Sequence, residues 1–171
     1  SQCLAIPGGE DPKDFHMTLA YFGKSEDWDE EVLEQLPNLI EEYASHSRSI
    51  TGELNGAARF SATESSDGQD VLVVLWDCPD LPQWREGLIQ HLEEHGFTPK
   101  KTHGFVPHTT LSYLDPEDQM PIPRLEIQPV TFDKVYCKIG DQEYSYPLHN
   151  EFIEKSLQKA VDPFMDYGPD P

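Results

Sequence analysis

The chain has 171 residues, with 32 Asp and Glu against 12 Lys and Arg, a formal net charge of −20 and 37% hydrophobic residues. That length and apolar content suit one compact domain, or two small lobes sharing a core. The charge excludes a general nucleic-acid binder, because affinity for a phosphate backbone rests on Lys and Arg displacing counterions. A nucleotide partner should be small, or held by a locally positive groove.

The acidic excess fits a solvated surface better than a specific acidic function. No apolar run is long enough to span a bilayer, and no basic-then-apolar leader is visible, so no membrane partner is expected. Cys3, Cys78 and Cys137 are far apart, odd in number and form no CxxC pair. Neither a disulfide framework nor a zinc knuckle is indicated, and a reducing, cytoplasmic setting fits best. The chain begins at Ser1, as expected of a processed chain or a piece of a longer one.

Cys3 to Ile6 is a short apolar run that stops at the turn signal Pro7-Gly8-Gly9. Phe15 to Phe22 (Phe-His-Met-Thr-Leu-Ala-Tyr-Phe) alternates like a strand and ends at Gly23. Asp27 to Ser45 carries apolar residues at helical spacing, with Pro37 inside the pattern, which predicts a kink or a split. Ile50 to Ala62 reads as extended, with a bulge at Gly56. Glu64 to Gln69 reads as a hairpin loop and Val71 to Trp76 as a buried strand. Leu81 to His95 reads as a second helix capped by Gly96. Pro107 to Leu114 is a further strand, and Asp115 to Arg124 a Pro-rich loop. Val130 to Ile139 and Glu143 to Leu148 predict a hairpin turning at Gly140-Asp141. Residues 151–161 suggest a C-terminal helix, and the Pro- and Asp-rich residues 162–171 a mobile tail. The element order gives an α+β class with mainly antiparallel sheets.

Two of these segments repeat one another. His16-Met17-Thr18-Leu19-Ala20-Tyr21 and His108-Thr109-Thr110-Leu111-Ser112-Tyr113 share His, Thr, Leu and Tyr at the same offsets. This repetition, with a helix after each of the first strands, suggests internal duplication into two lobes, each supplying one motif. Strand parity puts His16, Thr18, Ala20 and Phe22 on one face, and His108, Thr110, Ser112 and Leu114 on the corresponding face of the second copy. Tyr21 and Tyr113 fall on the opposite faces, which favours core packing over contact with a ligand.

Paired His-x-Thr strands suit phosphodiester chemistry. Imidazole titrates near neutrality, so one His takes a proton from the nucleophile while the other gives one to the leaving oxygen. The Thr hydroxyls donate to the non-bridging oxygens where charge accumulates. The arrangement requires neither metal nor cofactor.

On these residues the chain resembles the 2H phosphoesterase superfamily, which includes 2′-5′ RNA ligase-like proteins and cyclic nucleotide phosphodiesterases. Pro107-His108-Thr109-Thr110-Leu111 is an especially close match, and Pro7-Gly8-Gly9-Glu10 with the first motif resembles versions encoded by bacteriophages of actinobacteria. Those versions are often fused to, or neighbours of, phage head proteins, which adds association with such proteins as an expectation. The likeness covers roughly residues 3–148. It implies a bilobal, pseudo-twofold fold with a central groove, His16 and His108 as the acid/base pair, and Thr18 and Thr110 as phosphate-binding hydroxyls. It departs at the N-terminus, where only Cys3 to Ile6 stands in place of a full first strand.

Four further residues are candidates for lining the groove: Phe22, Arg59, His103 and Ser112. Arg59 can reach a phosphate from a neighbouring strand, with a surface salt bridge as the competing reading. His103 lies near Lys100 and Lys101, and a plain surface loop competes there. His91 and His95 have metal-ligand spacing, but Leu92 breaks the HExxH pattern, and exposed helix residues are the better reading. The resulting expectation is a phosphodiesterase acting on a 2′,3′-cyclic phosphate, a 2′-5′ linkage or a small cyclic nucleotide. A non-hydrolysing nucleotide-binding module is the alternative, and 2′-5′ RNA ligation ranks last because it must engage two RNA ends.

Overall fold

The computed structural model describes residues 9–100 and 104–149. The N-terminal run Cys3 to Ile6, His103, and the C-terminal helix and tail expected after residue 150 lie outside the described residues. In chain order the elements are α1 (Glu30–Leu33), α2 (Gln35–Ser45), β1 (Ile50–Phe60), β2 (Asp70–Asp77), α3 (Leu81–Glu93), β3 (His108–Leu114), β4 (Gln128–Phe132), β5 (Lys134–Ile139) and β6 (Gln142–Pro147), with single 3-10 turns at Pro12–Asp14, Ser25–Asp27 and Glu64–Ser66. The class is α+β. The chain divides into two units, residues 1–23 with 51–131 and residues 24–50 with 132–171. Both His-x-Thr motifs fall in the first, so the expectation of one motif per lobe does not describe these units.

The first unit is built on a four-stranded sheet in the order β3-β2-β1-β4. β1 pairs antiparallel with β2, and β2 antiparallel with β3. The register of β1 on β2 slips by one residue between Leu54 and Gly56, so the bulge expected at Gly56 is present. Gly56 has φ +124°, a conformation that a side chain would oppose. The β1–β2 connection is closed by a reciprocal cap: Thr63 N–H donates to Ser66 Oγ, and Ser66 N–H donates to the Thr63 carbonyl. Leu54, Val74 and Leu111, one from each of three adjacent strands, form a buried cluster against which Phe15, Trp76 and Leu125 pack.

The helix α3 begins with Pro82 in its first turn, where the missing N–H costs nothing. It ends in a Schellman motif. The Phe97 N–H donates to the Leu92 carbonyl at 2.9 Å and the Gly96 N–H to the Glu93 carbonyl at 3.1 Å, with Gly96 at φ +90°. Leu92 and Phe97 are both fully buried, as the hydrophobic contact of that motif requires.

In the second unit the helical pattern over Asp27 to Ser45 is split, as Pro37 predicted. The break falls at Glu34, and Pro37 sits in the first turn of α2. Proline cannot donate to the carbonyl four residues back, so a new helix starts where its nitrogen needs no partner. Leu36, Ile40 and Ala44 bury one face of α2, which packs on the β5–β6 hairpin. That hairpin turns at Gly140-Asp141, with Ile139 opposite Gln142. The strand expected over Val130 to Ile139 is two strands, because the chain breaks at Asp133 and β4 joins the larger sheet.

Candidate active site

The second motif is β3. His108 lies opposite Leu75 and Thr110 opposite Val73 on β2, two residues apart on one strand, so the two side chains share a face. Between Thr110 and Ser112 the register slips: Val73 pairs with Thr110 and Leu72 with Ser112. Leu111 is the extra residue of a bulge, and it reverses the alternation beyond it. The parity reading therefore holds for His108 and Thr110 and fails for Ser112 and Leu114, which turn to the opposite face and are buried. The carbonyl of Leu111 is taken up by the Glu10 N–H at 2.8 Å.

The first motif differs from expectation in form. Within Phe15 to Phe22 only Met17 makes a β-type bridge, antiparallel to Thr109. That bridge is enough to set the site. In an antiparallel pair the residue before one partner faces the residue after the other. His16 thus stands beside Thr110, and Thr18 beside His108. The two motifs meet by exchange, each histidine next to the other motif's threonine. In regular antiparallel pairing, with strands ~4.8 Å apart and ~3.4 Å per residue, this placement corresponds to histidine Cα atoms about 8 Å apart. The segment is held on its other side by the Lys100 N–H, which donates to the Tyr21 carbonyl at 2.7 Å, and by Arg85 Nε, which donates to the Leu19 carbonyl at 2.7 Å.

The two imidazoles are held alike. His16 Nδ1 lies 2.8 Å from the Asp14 carbonyl, and His108 Nδ1 lies 2.6 Å from the Val106 carbonyl. In both cases the partner is the carbonyl two residues back. A carbonyl only accepts, so each Nδ1 carries the proton and Nε2 is the nitrogen left to exchange protons.

Phe60 adds a geometric constraint. It pairs with Val71, four residues along β2 from Leu75, the partner of His108. In a flat sheet the Phe60 and His108 Cα atoms would be about 16 Å apart. Their ring centroids are 5.2 Å apart, edge to face. On this curled sheet the two side chains converge over the face that bears His108 and Thr110.

Two histidines and two threonines are thus brought together across one bridge on one face of the sheet. A profile of the 2′-5′ RNA ligase superfamily matches residues 11–149, which takes in both motifs. The chain belongs to the 2′-5′ RNA ligase superfamily. Two solved structures share its fold. One is TT0787 of Thermus thermophilus, 20% identical over 86% of this chain and 85% of that one, with a TM-score of 0.53. The other is Escherichia coli LigT, crystallised with 3′-AMP, 18% identical over 86% of this chain and 83% of that one, with a TM-score of 0.52. Comparison with curated protein sequences finds no match.

Against this superfamily assignment the remaining candidates sort as follows. Phe22, half-buried, packs edge-on against the buried Phe97, with centroids 6.4 Å apart. Arg59 pairs with Leu72, which puts it on the face opposite the histidines. Its Nε donates to Asp70 Oδ2 at 2.8 Å, and its terminal nitrogens donate to the carbonyls of Asp118 at 2.6 Å and Asp115 at 3.0 Å. The competing salt-bridge reading is the one observed, and Arg59 ties the loop after β3 to the sheet. Ser112 is on that same far face and buried. His91 and His95 stack edge to face, and no group of three metal-ligating side chains occurs among the described residues. No helix there is long and apolar enough to cross a membrane.

The sequence reading missed two features of the site. Phe60 touches His108, and nothing in its local pattern signals a contact across two strands. Tyr113, expected in the core, is 45% exposed, and its partner Val71 shares the face of Val73 and Leu75. Tyr21 is likewise exposed, at 54%.

Proposed function

We propose that this chain is a phosphodiesterase that uses His16 and His108 as a general acid/base pair on a nucleotide 2′,3′-cyclic phosphate, a 2′-5′ linkage or a small cyclic nucleotide. The observation that carries the reading is the Met17–Thr109 bridge, which brings both His-x-Thr motifs together in exchanged register. The matching Nδ1 bonds support it, since they present both Nε2 atoms in the same role.

In hydrolysis of a 2′,3′-cyclic phosphate, one neutral imidazole accepts a proton at Nε2 from water as the water oxygen bonds to phosphorus. The other, protonated at Nε2, donates to the ribose oxygen as its bond to phosphorus breaks. The product is a ribose phosphomonoester, and the two histidines end with their protonation states exchanged. Thr18 and Thr110 donate to the non-bridging oxygens, where negative charge builds in the transition state. Every proton is carried by a side chain of the chain itself.

The test is incubation with a panel of 2′,3′-cyclic nucleotides, 2′-5′ oligonucleotides and cyclic dinucleotides, followed by chromatography. Loss of at least one substrate, abolished in both His16→Ala and His108→Ala, is the expected result. Tight calorimetric binding with intact ligand recovered after long incubation would replace the enzyme by a nucleotide-binding module.

A further inference from the structure

We infer that Tyr113 is a specificity-determining residue that stacks on a planar base of the bound ligand. The inference deepens the phosphodiesterase reading and rests on it.

The bulge at Leu111 is the starting point. Without it, alternation from His108 would carry Tyr113 to the far face, with Thr109 and Leu111. With it, Tyr113 pairs with Val71, which lies on the same side of β2 as Val73 and Leu75, the partners of Thr110 and His108. Tyr113 thus stands on the histidine face, two β2 residues beyond Thr110, or about 7 Å along the strand. That is roughly one nucleoside's reach from a phosphate placed between His16 and His108. On the same row, across Val71, is Phe60, whose ring already packs on His108.

The chemistry of this face selects the ligand. Its β1 and β2 positions around the histidine are Ala58, Val71, Val73 and Leu75, which offer no side-chain hydrogen bonds. Discrimination there comes from shape and π-contact. A tyrosine with 45% of its surface exposed on such a face has an unused ring for a base to cover. Recognition by stacking tolerates any base while rejecting a ligand that has none.

The experiment compares wild type, Tyr113→Ala and Tyr113→Phe by calorimetry against two probes, each protein carrying His16→Ala so that the probes stay intact. One is a nucleoside 2′,3′-cyclic phosphate, and the other the base-free methyl riboside 2,3-cyclic phosphate. Wild type should bind the nucleotide roughly 10-fold or more tighter than the base-free probe. Tyr113→Ala should lose that preference and keep its affinity for the base-free probe, and Tyr113→Phe should retain the preference. If Tyr113→Ala keeps the preference, or weakens both probes equally, or if wild type shows no preference, stacking is overturned while the phosphodiesterase reading stands. If wild type binds neither probe, stacking on this ligand falls, and the phosphodiesterase reading is left with a 2′-5′ linkage or a small cyclic nucleotide.

Discussion

The indole Nε1–H of Trp76 donates to Thr109 Oγ1 at 2.9 Å, on the face of the sheet behind the histidines. Thr109 is the middle residue of the second His-x-Thr motif and is buried. The bond pins the reverse side of the motif to β2, while Met17 pins the same residue from the first motif. One threonine, with no role in the chemistry, therefore holds both halves of the site.

Thr109→Val keeps the shape but removes the acceptor. It should lower stability by about 1–2 kcal/mol, seen as a lower urea midpoint with unchanged slope. Thr109→Ser should restore most of the loss. An unaltered midpoint in the Val variant would mean that the bond contributes nothing.

His16→Ala and His108→Ala should each lower turnover by about 10²–10⁴-fold while leaving the melting temperature close to wild type. The double variant should be scarcely worse than either single one, because the two act as a unit. The rate of the wild type should be bell-shaped in pH, since one imidazole must be neutral and the other protonated. A single variant that keeps both limbs of the bell would remove that histidine from the mechanism.

Arg59→Met breaks a half-buried ion pair and frees two loop carbonyls at once. It should destabilise the fold by roughly 2–3 kcal/mol. The rate constant of the protein that remains folded should stay within a few-fold of wild type, because Arg59 faces away from the histidines. A large fall in kcat without a change in melting temperature would place Arg59 at the phosphate after all.

Burial pushes the Cys137 thiol up from an ordinary 9.0 to about 11. The folded state holds this group protonated, whereas the unfolded chain releases its proton from about pH 9 upward. Between those values the unfolded state binds fewer protons, so stability falls as pH rises and is fully present below pH 9. Melting temperatures measured from pH 8 to 10.5 should decline, and Cys137→Ala should flatten the part of the slope that this thiol supplies. Cys78, raised by burial and then by Asp77, adds a smaller slope of the same sign.

Much of this was legible in the residues. The repeated His-x-Thr-Leu marked the two segments that the Met17–Thr109 bridge brings together, because His and Thr two apart share a face in extended chain. Pro37 announced the split helix, and Gly56 the first bulge, because each removes or permits a specific backbone conformation. The second bulge had no such marker. Leu111 is an ordinary apolar residue, and its displacement arises from pairing with β2 and from the Glu10 N–H that takes its carbonyl. From that point alternation misplaced Ser112, Leu114 and Tyr113. Arg59 was undecidable locally, because its three partners come from β2 and from a loop more than fifty residues away.

The Met17–Thr109 bridge also bears on how the proposed site is assembled. It joins two segments far apart in sequence, and around Met17 the first motif has no ladder of its own to fall back on. The entropy of closing so long a loop is recovered only once the sheet exists to receive the segment. Loss of this one bridge would part the two motifs while leaving the sheet itself intact.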